Sequence, residues 1–427
     1  MKHFLKGNIY NPFFLGCLFF SLQLFFILLI SPEESWMQSW LNLASHWDSG
    51  WYEAIAQKGY LNDQGPLHTG PLSSNVVFFP GYPYLARAII LVSGVNVKVA
   101  LLLVSQTATL LFCCLLFHIL RAHSWREQLY TAILVFAFPT SWFMFMGYSE
   151  SLFILTSCLM LWFATEKKWG FSGLSGILMT ATRLLGIPVL ITPLLSSLIT
   201  HSSNIKAFFK LEHLRFNPEI HAPRFWIALV GSLGCLGFLI YCAIHFGSWH
   251  LYFDMERIGW GGTADPLFLL RLPTWMPPPF GYPLDWAPEL PNAYESLFIF
   301  KFFKMTAYSF SETLVPIFLW TFIIISILMF KKRRIDQNSL TWFLAALLLF
   351  LFSCLSLATR HYESMSRCLY PVWVLLIISD VIHPEKLFFF RAKKPILPKL
   401  ITSVFILILF GFWLQLLNRY FLNWWVA

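Results

Sequence analysis

The stretch FSGLSGILMTATRLLGIPVLITPLLSSLI, residues 171–199, decides how this chain is threaded. It reads either as one long helix with Arg183 at its middle, or as two short segments that break near Arg183 and Gly186, with Pro188 opening the second. The choice fixes the side on which everything downstream lies. As one span it leaves KKRR at 331–334 and RAKK at 391–394 outside; as two it puts both inside, where the Lys and Arg of short loops accumulate. Two segments are therefore expected.

The flanking chain is of the same kind. Of 427 residues, 57% are hydrophobic, 19% aromatic and only 12% charged, a balance that fits a polytopic membrane protein and no other class. Apolar runs predict spans at about 12–30, 98–120, 128–146, 149–165, 171–182, 184–199, 225–246, 307–330, 339–358, 366–382 and 396–417. The first run follows Lys2 and Lys6 like a signal peptide, but no small-residue cleavage site follows it, so a retained anchor is expected. The expected fold is all-α and polytopic, a single domain over 1–427, with about eleven transmembrane helices and an inward N-terminus. The eight cysteines fall in or beside apolar segments without metal-ligand spacing and read as packing residues. The net charge of +9 reads as topology, with the Lys and Arg excess inside, and no basic patch suited to nucleic acid is present.

This threading gathers the unusual polar residues on one face. They occupy a first extracytoplasmic loop at 31–97, a Tyr148-Ser149-Glu150 turn, Arg183, a second large loop at 247–306, and the TRHYESMSR turn at 359–367. The first loop predicts an amphipathic helix around Trp40 to Gln57. VVFFPGYPYLARAII, broken by Pro80, Gly81 and Pro83, then reads as an interfacial or re-entrant element. The second loop, dense in proline and aromatics, is expected to be ordered by docking on the membrane face.

Within the first loop, HWDSGWYEAIAQKGY (46–60) sets Asp48 among aromatic residues directly after the first span. A carboxylate there can act as a base, or can open the helix that runs through Glu53 to Lys58. Glu53 falls about 140° around a helix from Asp48, so a solvated face is its expected place. Glu150 can bind substrate or complement a helix N-terminus. Arg183 is costly in a membrane unless it pairs with a carboxylate or faces a polar cavity, which makes a phosphate or an ion pair with Asp48 or Glu150 its expected partner. Arg360, His361 and Arg367 form a second basic cluster suited to phosphate, or to snorkelling at the interface. His46 can orient Asp48 or simply line the loop, and Trp47 and Trp51 flank it, where an aromatic face can contact a substrate or sit in an interfacial belt. His46, Asp48 and His68 lack the tight spacing of a metal site, so no metal is expected.

HWDSGWYEAIAQKGY resembles the (R/H)WD…Y..IA..GY signature of the PIG-V mannosyltransferases, a family within the GT-C group of glycosyltransferases. VVFFPGYPYLARAI is similar to that family's F-F-P-x-x-P segment, GYSESLFILTS to its Y-S-E-S-L-F segment, ATRLLGI to its A-T-R-x-x-G segment, and ESMSRCLYPVWVLL to its S-M-x-R-Y region. The five blocks run in order. Leu184 and Leu185 depart from the polar residues common after the Arg, Ser366-Arg367-Cys368 replaces the usual Pro-Arg-Tyr, and the 247–306 loop has no counterpart in the pattern.

The resemblance implies a GT-C-type fold and an inverting transfer of a mannosyl unit from dolichyl- or polyprenyl-phosphate mannose to a lipid- or protein-linked hydroxyl. It implies Asp48 as the catalytic base and no cofactor beyond the lipid-phosphate donor, while His46, Trp47, Trp51, Tyr148, Glu150, Arg183, Arg360, His361 and Arg367 are expected as substrate-binding residues from their own chemistry and placement. The implied setting is a bacterial plasma membrane or the endoplasmic reticulum, among membrane lipids, with the site extracytoplasmic or lumenal and room for an accessory membrane subunit. The residues themselves leave open a multi-pass lipid or sugar transporter and a non-catalytic subunit of a glycosyltransferase complex.

Overall fold

The computed structural model describes residues 11–33, 35–60, 75–201, 217–260, 315, 317–328, 336–357, 364–379 and 396–421. The KKRR and RAKK runs, Arg360, His361, and most of the 247–306 loop lie outside these. Among the described residues the secondary structure is helical, with no strand. Five helices are long and apolar enough to cross a membrane, and the chain is an integral membrane protein. Four shorter apolar helices, 10–17 residues each, fall below the ~20 residues needed for a ~30 Å hydrocarbon core. By length and composition the described residues therefore supply five of the eleven expected crossings.

The chain divides into two compact units, residues 1–136 with 142–252, and residues 137–141 with 253–427. In the first unit, α1 (Pro12–Ile30) is capped by the Asn11 side chain, which accepts from the Phe13 amide, with Pro12 preset for the first turn. It packs on α5 (Val97–Ile119) and turns Phe13, Phe14, Leu22, Phe25 and Leu29 outward, as a lipid-facing helix does.

The expected helix over Trp40–Gln57 is two: α2 (Trp36–Asn42) and α3 (Asp48–Lys58). The segment between them is held from outside. Gly147 N–H donates to the Leu43 carbonyl at 2.8 Å, Tyr148 Oη to the His46 carbonyl at 2.9 Å, and Lys98 Nζ to Ser45 Oγ at 3.0 Å. Trp47 there has φ 42°, a left-handed value rare for a bulky residue, and it ends any continuous helix.

Of VVFFPGYPYLARAII, the part from Gly81 on forms a regular helix, α4 (Gly81–Ser93), closed by Gly94 at φ 68°, while Asn75–Val77 ahead of it make a 3-10 turn. It packs on α5 and on α8 (Trp169–Thr182). The expected span at 128–146 is shorter. Helix α6 (Trp125–Phe136) stops ahead of Pro139, whose ring disfavours helix at Phe138, and a 3-10 turn follows at Ser141–Phe145.

Helix α7 (Glu150–Thr165) forms an antiparallel hairpin with α8, and α5 packs on α7. At the end of α8 the predicted break occurs: Arg183 is extended, φ −153° and ψ 139°, before a 3-10 turn (Leu184–Gly186) and the short helices α9 (Ile187–Leu190) and α10 (Thr192–His201). The first turn of α9 contains Pro188, where its missing N–H costs nothing. The expected span 225–246 is α11 (Pro218–Gly231) and α12 (Leu233–Phe246), which pack on α8 at small residues: a Cβ on Gly176 would stand 3.0 Å from Gly231 Cα. Helix α13 (Leu251–Trp260) follows.

The second unit contains α14 (Ile317–Leu328), α15 (Gln337–Leu357), α16 (Met365–Ile378) and α17 (Ile396–Phe421). Phe318 and Phe322 of α14 stack on Phe350 of α15, and residues 137–141 are anchored by Thr140 Oγ1 donating to the Ser366 carbonyl at 2.9 Å and by Trp413 Nε1 donating to Ser141 Oγ at 3.0 Å.

Candidate functional site

Four of the five sequence blocks meet at one end of the first unit. Helix α3 begins at Asp48, with Trp47 in the cap position and no side-chain capping bond, so Asp48 does not act as the helix cap. The Asp48 residue is half-buried, and the carboxylate's charge suits the first turn of α3. One helical turn on, at i+4, Tyr52 occupies the same face and is buried. Its ring stands edge-on to Tyr82 of α4 (4.9 Å between centroids) and to Phe78 (5.2 Å).

The Tyr52 hydroxyl is hydrogen-bonded to Ser149 Oγ at 2.8 Å. Ser149 Oγ also accepts from Arg183 Nε at 3.1 Å, and Arg183 Nη2 donates to Glu150 Oε1 at 2.5 Å. Glu150, the first residue of α7, is completely buried, whereas the Arg183 side chain keeps 16% of its surface. The guanidinium carbon lies 5.9 Å from the ring centre of Phe153, one turn along α7. Of the partners expected for Arg183, the ion pair with Glu150 is formed.

Burial pushes the Tyr52 hydroxyl up to about 12, because a buried phenolate is costly; the Arg183 charge opposes this, and the Glu150 and Asp48 carboxylates reinforce it. Tyr52 thus lies within electrostatic reach of all three charged groups and stays protonated.

Close backbone approaches fix these elements. A Cβ on Gly81 would stand 2.8 Å from Thr182 Oγ1 and 2.9 Å from the Ala181 carbonyl, so the FFPGYP segment rests directly on the ATR segment. A Cβ on Gly147 would stand 2.7 Å from the Ala44 Cβ, which ties the GYSES turn to the chain ahead of Asp48.

Tyr148 is buried and holds the His46 carbonyl. The His46 ring lies beside Trp47, 5.8 Å between centroids, and both residues are half-buried. Trp51 is buried with its ring stacked on Phe78 at 5.7 Å, so one face is already covered. Arg367 lies in the first turn of α16 in the second unit, and Arg360 and His361 lie outside the described residues. Tyr52 and Ser149 carried no expected role. Both stood inside quoted motifs, and the i, i+4 spacing from Asp48 was the available signal for Tyr52.

The opposite end of this unit is basic. There α5 and α7 finish with His118 edge-on to Trp162, Lys168 Nζ 5.3 Å from the Trp162 ring centre, and Arg121 beside His118. Among the described residues no three His, Cys, Asp or Glu side chains gather as a metal site would require.

No family model matches the sequence, and no curated protein matches it. Among solved structures, the chain is similar to the apo crystal structure of an Archaeoglobus fulgidus oligosaccharyltransferase, with 10% identity and a TM-score of 0.42 over 96% of this chain and 56% of that one. It is similar at 11% identity and 0.42, with the same coverages, to the archaeal oligosaccharyltransferase AglB from that organism in complex with an inhibitory peptide and a dolichol-phosphate. A third structure, of the Archaeoglobus fulgidus oligosaccharyltransferase tethered to an acceptor peptide containing an NVT sequon, gives 11% and 0.39 over 90% of this chain and 51% of that one. The chain thus spans little more than half the length of the solved structures it matches.

Proposed function

We propose that this chain is a GT-C-type glycosyltransferase of the PIG-V kind, transferring a mannosyl unit from a dolichyl- or polyprenyl-phosphate mannose to a hydroxyl on a lipid- or protein-linked acceptor, with inversion. The observation that carries this reading is the convergence of Tyr52, Ser149, Glu150 and Arg183 from three separated sequence blocks onto one hydrogen-bonded cluster, with Asp48 one helical turn before Tyr52 and near enough to act on its hydroxyl, and Gly81 of a fourth block packed against Thr182.

In the proposed step the acceptor oxygen attacks the sugar's anomeric carbon from the face opposite the phosphate. Asp48 takes the acceptor's proton, and the bond from the anomeric carbon to the phosphate oxygen breaks with its electron pair going to the phosphate. Arg183 offsets the charge that develops there, a task suited to a guanidinium already oriented by Ser149 and Glu150. Glu150 holds Arg183, and Trp47 borders the sugar position. No metal ion or other cofactor enters the reaction, because the charge a cation would neutralise falls to Arg183. Lys168, Arg121 and Arg126 belong to the opposite end, so the positive-inside rule favours an extracytoplasmic or lumenal site, in a bacterial plasma membrane or the endoplasmic reticulum.

The test is transfer of radiolabelled mannose from a short-chain polyprenyl-phosphate mannose to a panel of lipid and peptide acceptors, with purified wild type beside Asp48→Asn. Product from wild type and none from a folded, donor-binding Asp48→Asn is the expected result. Full activity in Asp48→Asn would remove Asp48 as base. One observation favours a second reading: α8 breaks at Arg183, as helices do at the substrate sites of transporters. Donor binding without product from any acceptor would favour that reading or a non-catalytic subunit.

A further inference from the structure

Tyr52 is buried, and its hydroxyl touches neither Asp48 nor Arg183 by any hydrogen bond described above, yet it sits in the field of both. Its ring leaves little freedom: Tyr82 and Phe78 meet it edge-on, and Tyr82 is itself pinned by its hydroxyl donating to the Leu101 carbonyl at 2.9 Å. From this clamped ring the hydroxyl reaches Ser149 Oγ at 2.8 Å, and Ser149 Oγ receives Arg183 Nε at 3.1 Å. The guanidinium is therefore steered at two points, Nε by the tyrosine–serine pair and Nη2 by Glu150.

The two points do different jobs. Glu150 supplies a charge and fixes where the arginine is. Ser149 supplies a neutral acceptor and fixes the rotation of the guanidinium plane, which determines where its other N–H groups aim. Without the Tyr52 hydroxyl, the Ser149 side chain loses one of its two partners and is free to take another rotamer that abandons Arg183.

We propose that Tyr52 is a positioning residue for the glycosyl transfer: through Ser149 it sets the plane of the Arg183 guanidinium relative to Asp48, which shares a face of α3 with it. This rests on the function proposed above and adds Tyr52, which was given no task in it. Because the hydroxyl stays protonated until about pH 12, Tyr52 acts as a fixed dipole and moves no proton in the reaction.

The test compares wild type, Tyr52→Phe, Ser149→Ala, the double variant, and Ser149→Thr in the mannose-transfer assay, with melting temperature in detergent measured on the same samples. Tyr52→Phe and Ser149→Ala are each expected to lower kcat about tenfold with donor KM changed less than about threefold, since the ion pair to Glu150 still binds the arginine. The double variant is expected to match either single one, because both remove the same constraint, and Ser149→Thr is expected to restore most of the rate. Losses that multiply in the double variant, or wild-type kcat in Tyr52→Phe, would overturn the proposal. If wild type makes no product, the function reading fails by itself. The relay is then judged on melting temperature, where non-additive shifts keep the Tyr52–Ser149 coupling and additive shifts remove it.

Discussion

Glu150 and Arg183 meet at 2.5 Å from the adjoining ends of two antiparallel helices, the carboxylate completely buried and the guanidinium partly so. Removing one member strands the other's charge. Glu150→Gln or Arg183→Met alone is expected to cost about 3–5 kcal/mol, and the double variant Glu150→Gln/Arg183→Met to recover most of that while remaining inactive. Thermal unfolding in detergent measures the first effect and mannose transfer the second; a double variant as unstable as the singles would show that the pair is not the stabilising unit.

Asp48 begins a helix without capping it. Asp48→Asn should therefore lose transfer by at least about a hundredfold while shifting stability by less than about 1 kcal/mol, within the range of substitutions away from caps and cores. Asp48→Ser, which keeps a small polar side chain at the start of α3, should be equally inactive; activity in the serine variant would assign the residue to the helix and not to the reaction.

Trp47 has φ 42° and ψ −113°, a combination open to glycine and strained for any residue with a Cβ. Trp47→Gly should unfold at a higher temperature than Trp47→Ala, the reverse of the usual order for these residues, by about 1 kcal/mol. If alanine proves the more stable, the backbone there is not held in this conformation.

The glycines of the first two blocks should separate cleanly. Gly50 lies within α3 and a Cβ there meets nothing within 4 Å, so Gly50→Ala is expected to stabilise by about 0.5–1 kcal/mol. Gly81→Ala meets the backbone of Ala181 at 2.9 Å and should destabilise by about 1–3 kcal/mol, with transfer activity reduced because α4 is displaced from Arg183. Unfolding temperatures of the two variants check both signs.

Much of this arrangement was legible in the sequence. Hydropathy located α1, α5, α7, α15 and the start of α17, because these helices meet an apolar environment along most of their length and their patterns need no tertiary information. Arg183 and Gly186, with Pro188 just behind them, marked where the 171–199 segment breaks. Helix α6 was drawn too long because Pro139 is followed by more apolar residues, and hydropathy does not distinguish a helix from an apolar turn.

The split between α2 and α3 was not legible, because residues 43–46 are shaped by hydrogen bonds from Lys98, Gly147 and Tyr148, far along the chain. Tyr52 and Ser149 were missed for the same reason: their bond spans 97 positions, and neither residue type announces such a partner.

The α7–α8 hairpin also bears on how this protein is made. A helix of 16 residues extends roughly 24 Å, short of the bilayer's apolar depth, and the 14-residue α8 is shorter still, with an acid at the open end of one arm and a base at the open end of the other. Inserted one at a time during synthesis, each arm would present an uncompensated ion to lipid, at about 2.5–3.5 kcal/mol apiece near the centre of the bilayer. Inserted together, they enter as a neutral unit whose connection is only Glu166, Lys167 and Lys168. Insertion of the two arms together is therefore the less costly route, and lengthening that connection should slow membrane integration even where the finished protein would be unchanged.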